Sequence, residues 1–259
     1  MKPAASGDLA ELTLRDETLH FYGRRKGRRL RTTMRDLLEQ RLPELRFRPE
    51  HPAQPQFDGA PEDLFLEIGF GGGENLVAIA ASRPDAAFLG AEPFINGVAS
   101  LVRHIEERQL SNIRIWDDDV RLILGGLETG SLAGAYVLFP DPWPKRRHAA
   151  RRILAPDVLD ELARLVRPGG SLVLASDHSV AKSWLLKSAC LHPSFRWTAR
   201  RPQDWRERPQ HLVPTRYMKK AEREDRVPNW FIFERLAPSE VPSEAPAETV
   251  TKTVTGSTA

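Results

Sequence analysis

"LEIGFGGGENL", Leu66 to Leu76, runs from an apolar stretch through a glycine-rich turn into the start of a helical pattern. The stretch Leu64–Ile68 is short and almost wholly apolar, which suits a strand buried on both faces. Glycine lets a backbone adopt positive φ and approach a ligand closely. Gly69, Gly71 and Gly73 do not follow the G-x-G-x-x-G spacing of a dinucleotide fold, and Glu67 and Glu74 flank the turn. A pyrophosphate would be repelled by those acids, whereas a cationic, phosphate-free nucleoside would not. S-adenosylmethionine, with its sulfonium, ammonium and adenosine, meets that description better than NAD does. A purely structural glycine turn is the plain alternative at this point.

Outward from this stretch the chain alternates. Strand patterns at Ala87–Glu92, Ile113–Trp116, Ala135–Phe139, Ser171–Ala175 and Trp230–Phe233 are interleaved with helical spacing at Leu76–Ala81, Val98–Arg108, Val158–Val166 and Val180–Cys190. Short apolar strands separated by amphipathic helices predict an α/β, Rossmann-like, doubly wound and mostly parallel sheet. Such sheets bind ligands beyond the carboxyl ends of their strands, where strand order reverses. An acid stands at or just after five of these ends: Glu67, Glu92, the run Asp117–Asp119, Asp141 and Asp177. Glu92, about twenty residues beyond the glycine turn, is placed to accept ribose hydroxyls. Asp118 or Asp119 falls where an adenine would lie.

The 259 residues carry 41% hydrophobic and 28% charged residues and a formal charge of +3, ordinary values for a globular chain. The charge is uneven. His20–Arg48 holds ten Arg or Lys against three Asp or Glu, and Asp141–Arg152 five against one. Paired basic patches of this kind point to a polyanion such as nucleic acid, the alternative being a solvated face. Cys190 is the single cysteine, so neither a disulfide nor a cysteine zinc cluster is expected. No stretch reads as a signal peptide or a membrane span, and a cytoplasmic protein without a bound metal is expected. Residues 1–20 and the Pro-, Ser- and Thr-rich 238–259 read as flexible segments around one domain at 21–237.

The block "FPDPWPKRRHAARR", Phe139–Arg152, closes the fourth strand pattern. Pro140 and Pro142 restrict the backbone around Asp141. Trp143 suits either a base-stacking platform or a core position. Lys145, Arg146, Arg147, Arg151 and Arg152 suit phosphate contacts; His148 suits a further phosphate or solvent contact. An acidic cofactor seat then borders a basic platform, with Asp141 at the boundary.

With "FLGAEPFINGV", "LASDH" and "PTRYMKKA…WFIFER" added in that order, the chain resembles the bacterial tRNA (guanine-N7-)-methyltransferases over roughly Phe21–Leu236. The resemblance implies an S-adenosylmethionine-dependent enzyme that methylates guanine N7 in tRNA, at guanine 46 of the variable loop; whether it is a monomer or homodimer is left open by the sequence. It implies that Glu67, Glu92 and Asp118, with Asp119 a close alternative, bind the cofactor beside Gly69 and Gly71. Asp141 matches the position taken as catalytic, and Lys145 and Asp177 match positions that contact substrate. The family's Thr-basic-Phe-Glu motif reads Thr215-Arg216-Tyr217-Met218 here, with Met218 departing from the acid. The competing readings are a methyltransferase acting on another nucleobase position and a non-catalytic RNA-binding protein on the same scaffold.

Overall fold

The computed structural model describes residues 21–241. The expectations for residues 1–20 and 242–259 lie outside them. Pro238–Glu240, the first part of the expected tail, forms a short 3-10 turn in which the Glu240 carboxylate accepts the Ala237 N–H.

Seven strands form one sheet in the order β3-β2-β1-β4-β5-β7-β6. They are β1 (Leu64–Ile68), β2 (Ala87–Ala91), β3 (Ile113–Trp116), β4 (Leu132–Leu138), β5 (Val166–Ser176), β6 (Phe195–Trp197) and β7 (Asn229–Arg235). The first five are parallel; β7 runs antiparallel to β5, and β6 antiparallel to β7. The mostly parallel, doubly wound sheet is the one expected from the sequence. Order reverses between β1 and β4, which places the crevice above their carboxyl ends.

Alternate side chains separate the core into two layers, as the two-residue period of a strand requires. Leu64, Leu66 and Ile68 join the cluster containing Val158, Leu162 and Leu185, from α5 (Pro156–Leu165) and α6 (Ser179–Leu191). Phe65 faces the opposite cluster with Leu76, Ile79, Val98, Leu101 and Ile105, from α2 (Glu74–Ser82) and α3 (Ile95–Arg108). All five residues of β1, β2 and the seven of β4 are buried, which is why their sequences look continuously apolar.

Besides the four-residue helices α4 (Arg121–Leu124) and α7 (Gln203–Arg206), three helices or strands were not read as such from the sequence. The first, α1 (Thr32–Leu45), buries Leu38, Leu42 and Leu45 against the α3 layer. That stripe is masked in the sequence by surrounding charge and by Pro43 inside the helix. Strand β6 is only three residues long, and α8 (Arg216–Arg223) is a highly charged helix with Ala221 its one buried residue. Strand β5 also begins earlier than expected. It runs across Pro168-Gly169-Gly170, with Gly169 at φ 78° and a register shift opposite Leu132–Gly134, as a bulge permits.

Candidate active site

A cleft of about 650 Å³ lies over the reversal point. The end of β1 supplies Ile68, Gly69 and Gly71; β2 supplies Ala91, Glu92, Pro93 and Phe94; and the β3 loop supplies Asp119 and Arg121. Phe139, Pro140, Asp141 and Trp143 line it after β4, and Phe21, Tyr22 and Gly23 from the N-terminal arm and Tyr217 from α8 complete the rim.

The glycine turn takes its shape from left-handed backbone. Gly69, Gly71 and Gly73 have φ of 73°, 58° and 81°, values that side chains disfavour. A Cβ on Gly69 would meet no atom within 4 Å, so the space there is open to a ligand, while one on Gly71 would stand 2.9 Å from the Tyr217 ring. Glu92 holds the turn in place. Its Oε2 accepts the Gly71 N–H at 2.9 Å and its Oε1 the Phe94 N–H at 3.0 Å. Burial raises the Glu92 carboxyl above its ordinary range, the two N–H donors oppose that shift, and nearby Asp141 adds to it. Glu92→Ala leaves both donors without their acceptor. A loss of roughly ten- to a hundred-fold in affinity for a nucleoside ligand of this cleft is expected, since a hydrogen bond to a charged group contributes about 1.5–3 kcal/mol. Calorimetric titration with S-adenosylmethionine checks it.

Glu67 does not line the cleft. It is buried at the end of β1, where its Oε2 accepts from Asn75 Nδ2 of α2 at 3.2 Å. Burial pushes its carboxyl up to about 7; the Asn75 donor opposes this, and Glu74 and Glu92 reinforce it. Opposite it in register, Tyr136 is pushed up to about 12, first by burial and then by Glu67. Glu67 and Asp141 are therefore the extremes of one acidic cluster, linked electrostatically through Glu92.

Each acid of the Asp117–Asp119 run is held by a different arginine. Arg46 makes two bonds to Asp117, at 2.9 and 2.7 Å. Arg25 of the N-terminal arm reaches Asp118 at 2.5 Å. Arg121 closes on the buried Asp119 at 2.6 Å. Of the two expected adenine contacts, only Asp119 lines the cleft; Asp118 instead tethers the arm. Nothing in the local sequence pairs Arg25 and Arg46 with their acids, because they lie 93 and 71 residues away, whereas Arg121 follows Asp119 by two positions.

Asp141 is exposed in the cleft wall. The sequence shows two prolines around it; the structure adds two residues in left-handed backbone, Phe139 at φ 53° and Trp143 at φ 37°. Such conformations are costly for bulky residues and gather at functional sites. The Phe139 ring packs edge-on against Trp230 at 5.6 Å, and Trp184 Nε1 donates to the Pro142 carbonyl at 3.2 Å. The loop is thus fastened to the sheet on both sides of the aspartate.

The basic residues that follow divide into two groups. Lys145, Arg146 and Arg147 are exposed and make no ion pair among the described residues. Arg151 and Arg152 are half-buried instead. The Arg152 guanidinium lies 5.6 Å from the Trp184 ring and donates to the Trp143 carbonyl at 3.4 Å, so it braces the loop. Arg151 packs on aromatic rings.

The remaining expected substrate residues lie in and around α8. Thr215 caps this helix through its hydroxyl, which accepts the Met218 N–H. Arg216 faces Glu74 at 3.8 Å, and Tyr217 covers the glycine turn. Met218 packs half-buried against the second core cluster and does not line the cleft. An apolar side chain suits that packing. Asp177 is engaged by Arg226 at 2.7 Å and also lies off the cleft lining. The residues missed by sequence reasoning are Phe21, Tyr22, Phe94 and Arg121. The first two stand directly before the basic run "GRRKGRR", and aromatics interleaved with cations were the available signal.

A nucleoside-sized cleft at the reversal point of a 3-2-1-4-5-7-6 sheet, ringed by acids and a glycine turn, defines a Rossmann-like methyltransferase. A family model described as "Putative methyltransferase" matches residues 61–229. The chain is 46% identical over 226 residues to a tRNA (guanine-N(7)-)-methyltransferase of Rhodospirillum rubrum, covering 85% of this chain and 89% of that protein. It is 41% identical over 230 residues to the enzyme so described from Azorhizobium caulinodans, covering 87% and 100%. An rRNA methylase from Streptococcus thermophilus aligns structurally with a TM-score of 0.47 at 10% identity, over 68% of this chain and 88% of that one. The chain belongs to the tRNA (guanine-N(7)-)-methyltransferase family. Among the described residues no helix is long and apolar enough to cross a membrane.

Proposed function

We propose that the protein transfers a methyl group from S-adenosylmethionine to N7 of a guanine in tRNA, at position 46 of the variable loop, in the cytoplasm. The observation that carries this reading is the junction at Asp141. The acidic cleft containing Glu92 and Asp141 ends where the exposed cations Lys145, Arg146 and Arg147 begin. Family membership supplies the reaction. The residues fit the cofactor: the cleft volume falls within the roughly 300–1,000 Å³ common for small-ligand sites, the seat is acidic, and space is open above Gly69.

Glu92 and the open space above Gly69 seat the nucleoside, and Asp119 lies toward its base. Glu67, beneath the turn, favours a cationic group above it. When bound, S-adenosylmethionine supplies an electrophilic methyl group. Guanine N7 has a free lone pair, so no side chain has to remove a proton first. What the chain contributes is in-line placement of the reactants, together with a carboxylate, Asp141, beside the charge as it moves. Lys145, Arg146 and Arg147 hold phosphates; Arg216 and Tyr217 close the other side, near Thr215 and Met218. Arg151, Arg152 and Asp177 belong to the supports of this surface.

The deciding experiment incubates the protein with unmodified tRNA and labelled cofactor, then treats the RNA with borohydride and aniline. Cleavage at one guanine is expected; labelled RNA that resists cleavage would assign the methyl group to another atom. Replacing Lys145, Arg146 and Arg147 together with alanine should flatten the salt dependence of tRNA affinity by about one logarithmic unit of slope per lost phosphate contact. An unchanged slope would show that these side chains reach no phosphate.

A further inference from the structure

We infer that Tyr22 of the N-terminal arm and Trp143 of the Asp141 loop form a two-ring clamp for the target purine, with the Arg151 guanidinium holding its place before RNA arrives. The inference rests on the guanine-N7 reading above.

The guanidinium carbon of Arg151 lies 4.6 Å from the Tyr22 ring centre and 5.0 Å from that of Trp143. Both distances are within cation–π range. No carboxylate pairs with Arg151 among the described residues, so a planar cation is held by the two rings. All three side chains line the cleft together with Asp141, two residues before Trp143. Tyr22 is 42% exposed, which a core role would not require. The Trp143 ring is further oriented by an edge-on contact with His148 at 5.7 Å and by the left-handed backbone of Trp143 itself. The arm bearing Tyr22 is fastened over the cleft by the Arg25–Asp118 ion pair and by the Ile95 N–H donating to the Arg25 carbonyl.

The chemistry of the reaction matches this seat. As the N7–carbon bond forms and the sulfur–carbon bond breaks, positive charge moves from sulfur onto the purine, and no proton is transferred. Guanine enters neutral and leaves as a planar cation, the same kind of group that Arg151 presents to the rings. Rings that favour a planar cation bind the charged purine more tightly than the neutral one. An interaction that strengthens along the reaction coordinate raises turnover and not affinity alone. Arg151, once displaced, lies beside the basic run and can meet a phosphate.

The test uses full-length protein. Tyr22→Leu should slow single-turnover methylation of tRNA by about ten-fold, the scale of one cation–π contact. Affinity for S-adenosylmethionine, measured by calorimetry, should stay within about two-fold, which also confirms an intact fold. Tyr22→Phe, which keeps the ring, should lose less than Tyr22→Leu. Independently of turnover, N7-methylguanosine 5′-monophosphate should bind more tightly than guanosine 5′-monophosphate, and Trp143→Leu and Tyr22→Leu should each erode that preference. Equal binding of the two nucleotides, or an unslowed Tyr22→Leu enzyme, overturns the clamp alone. A wild-type protein that transfers no methyl group to tRNA overturns the reading beneath it.

Discussion

Asp141→Ala is expected to reduce kcat by about 10²–10³-fold, with tRNA affinity nearly unchanged. The range is that of removing one preorganised electrostatic group from a reacting centre, roughly 3–4 kcal/mol. Asp141 is exposed in the cleft wall, so bound substrate, not the protein, completes its desolvation. It has no phosphate-facing role, and the cations that follow it are untouched by the substitution. Asp141→Asn separates charge from shape: the amide fills the same space and should lose nearly as much rate as alanine if charge is what matters. The variant also removes a negative neighbour of Glu92, whose carboxyl should then titrate lower. Single-turnover rates and filter-binding affinities for the two variants decide the matter. A full-speed Asp141→Ala enzyme would exclude the aspartate from the mechanism.

Glu67→Gln should stabilise the protein without its cofactor while weakening cofactor binding. The Glu67 carboxyl is pushed from an ordinary 4.5 up to about 7, chiefly by burial. Between those values the folded state holds a proton that the unfolded state has released, so stability falls as pH rises from about 4.5 to 7 and levels off above. The difference corresponds to on the order of 3 kcal/mol at pH 8. Glutamine keeps an oxygen for the Asn75 donor and removes the charge. Denaturant unfolding of the two proteins should therefore coincide near pH 4 and diverge at pH 8, with the variant more stable. Calorimetry at pH 8 should show weaker S-adenosylmethionine binding by the variant. Identical unfolding at both pH values would mean that the buried carboxyl carries no such strain.

The strand-end acids show how far reading along the chain can go. Glu92, Asp119 and Asp141 were all identified from their positions after apolar runs, and all three line one cleft, because parallel strands in register bring their carboxyl ends together. The glycine turn was equally legible, since φ above zero leaves a compositional mark. Glu67 was identified as well, but its depth was not visible: the pleat turns it away from Ile68 and toward α2. Arg151 and Arg152 looked the same as Lys145 and Arg146 in the sequence, yet two pack on rings and two face solvent.

The local patterning of apolar, glycine and proline residues sufficed for six of the seven strands, for the parallel part of the sheet and for the acids that follow its strands. These depend on periodicity and on torsional preferences that act over a few residues. Which cation meets which ring, which of three adjacent aspartates lines the cleft, and that the N-terminal arm reaches across to Arg151 depended on folding. The contacts of the arm, Arg25–Asp118 and Tyr22–Arg151, join residues many tens of positions apart, and a short-range pattern cannot encode them. The charge on Arg25 is a property of the residue; its partner is a property of the fold.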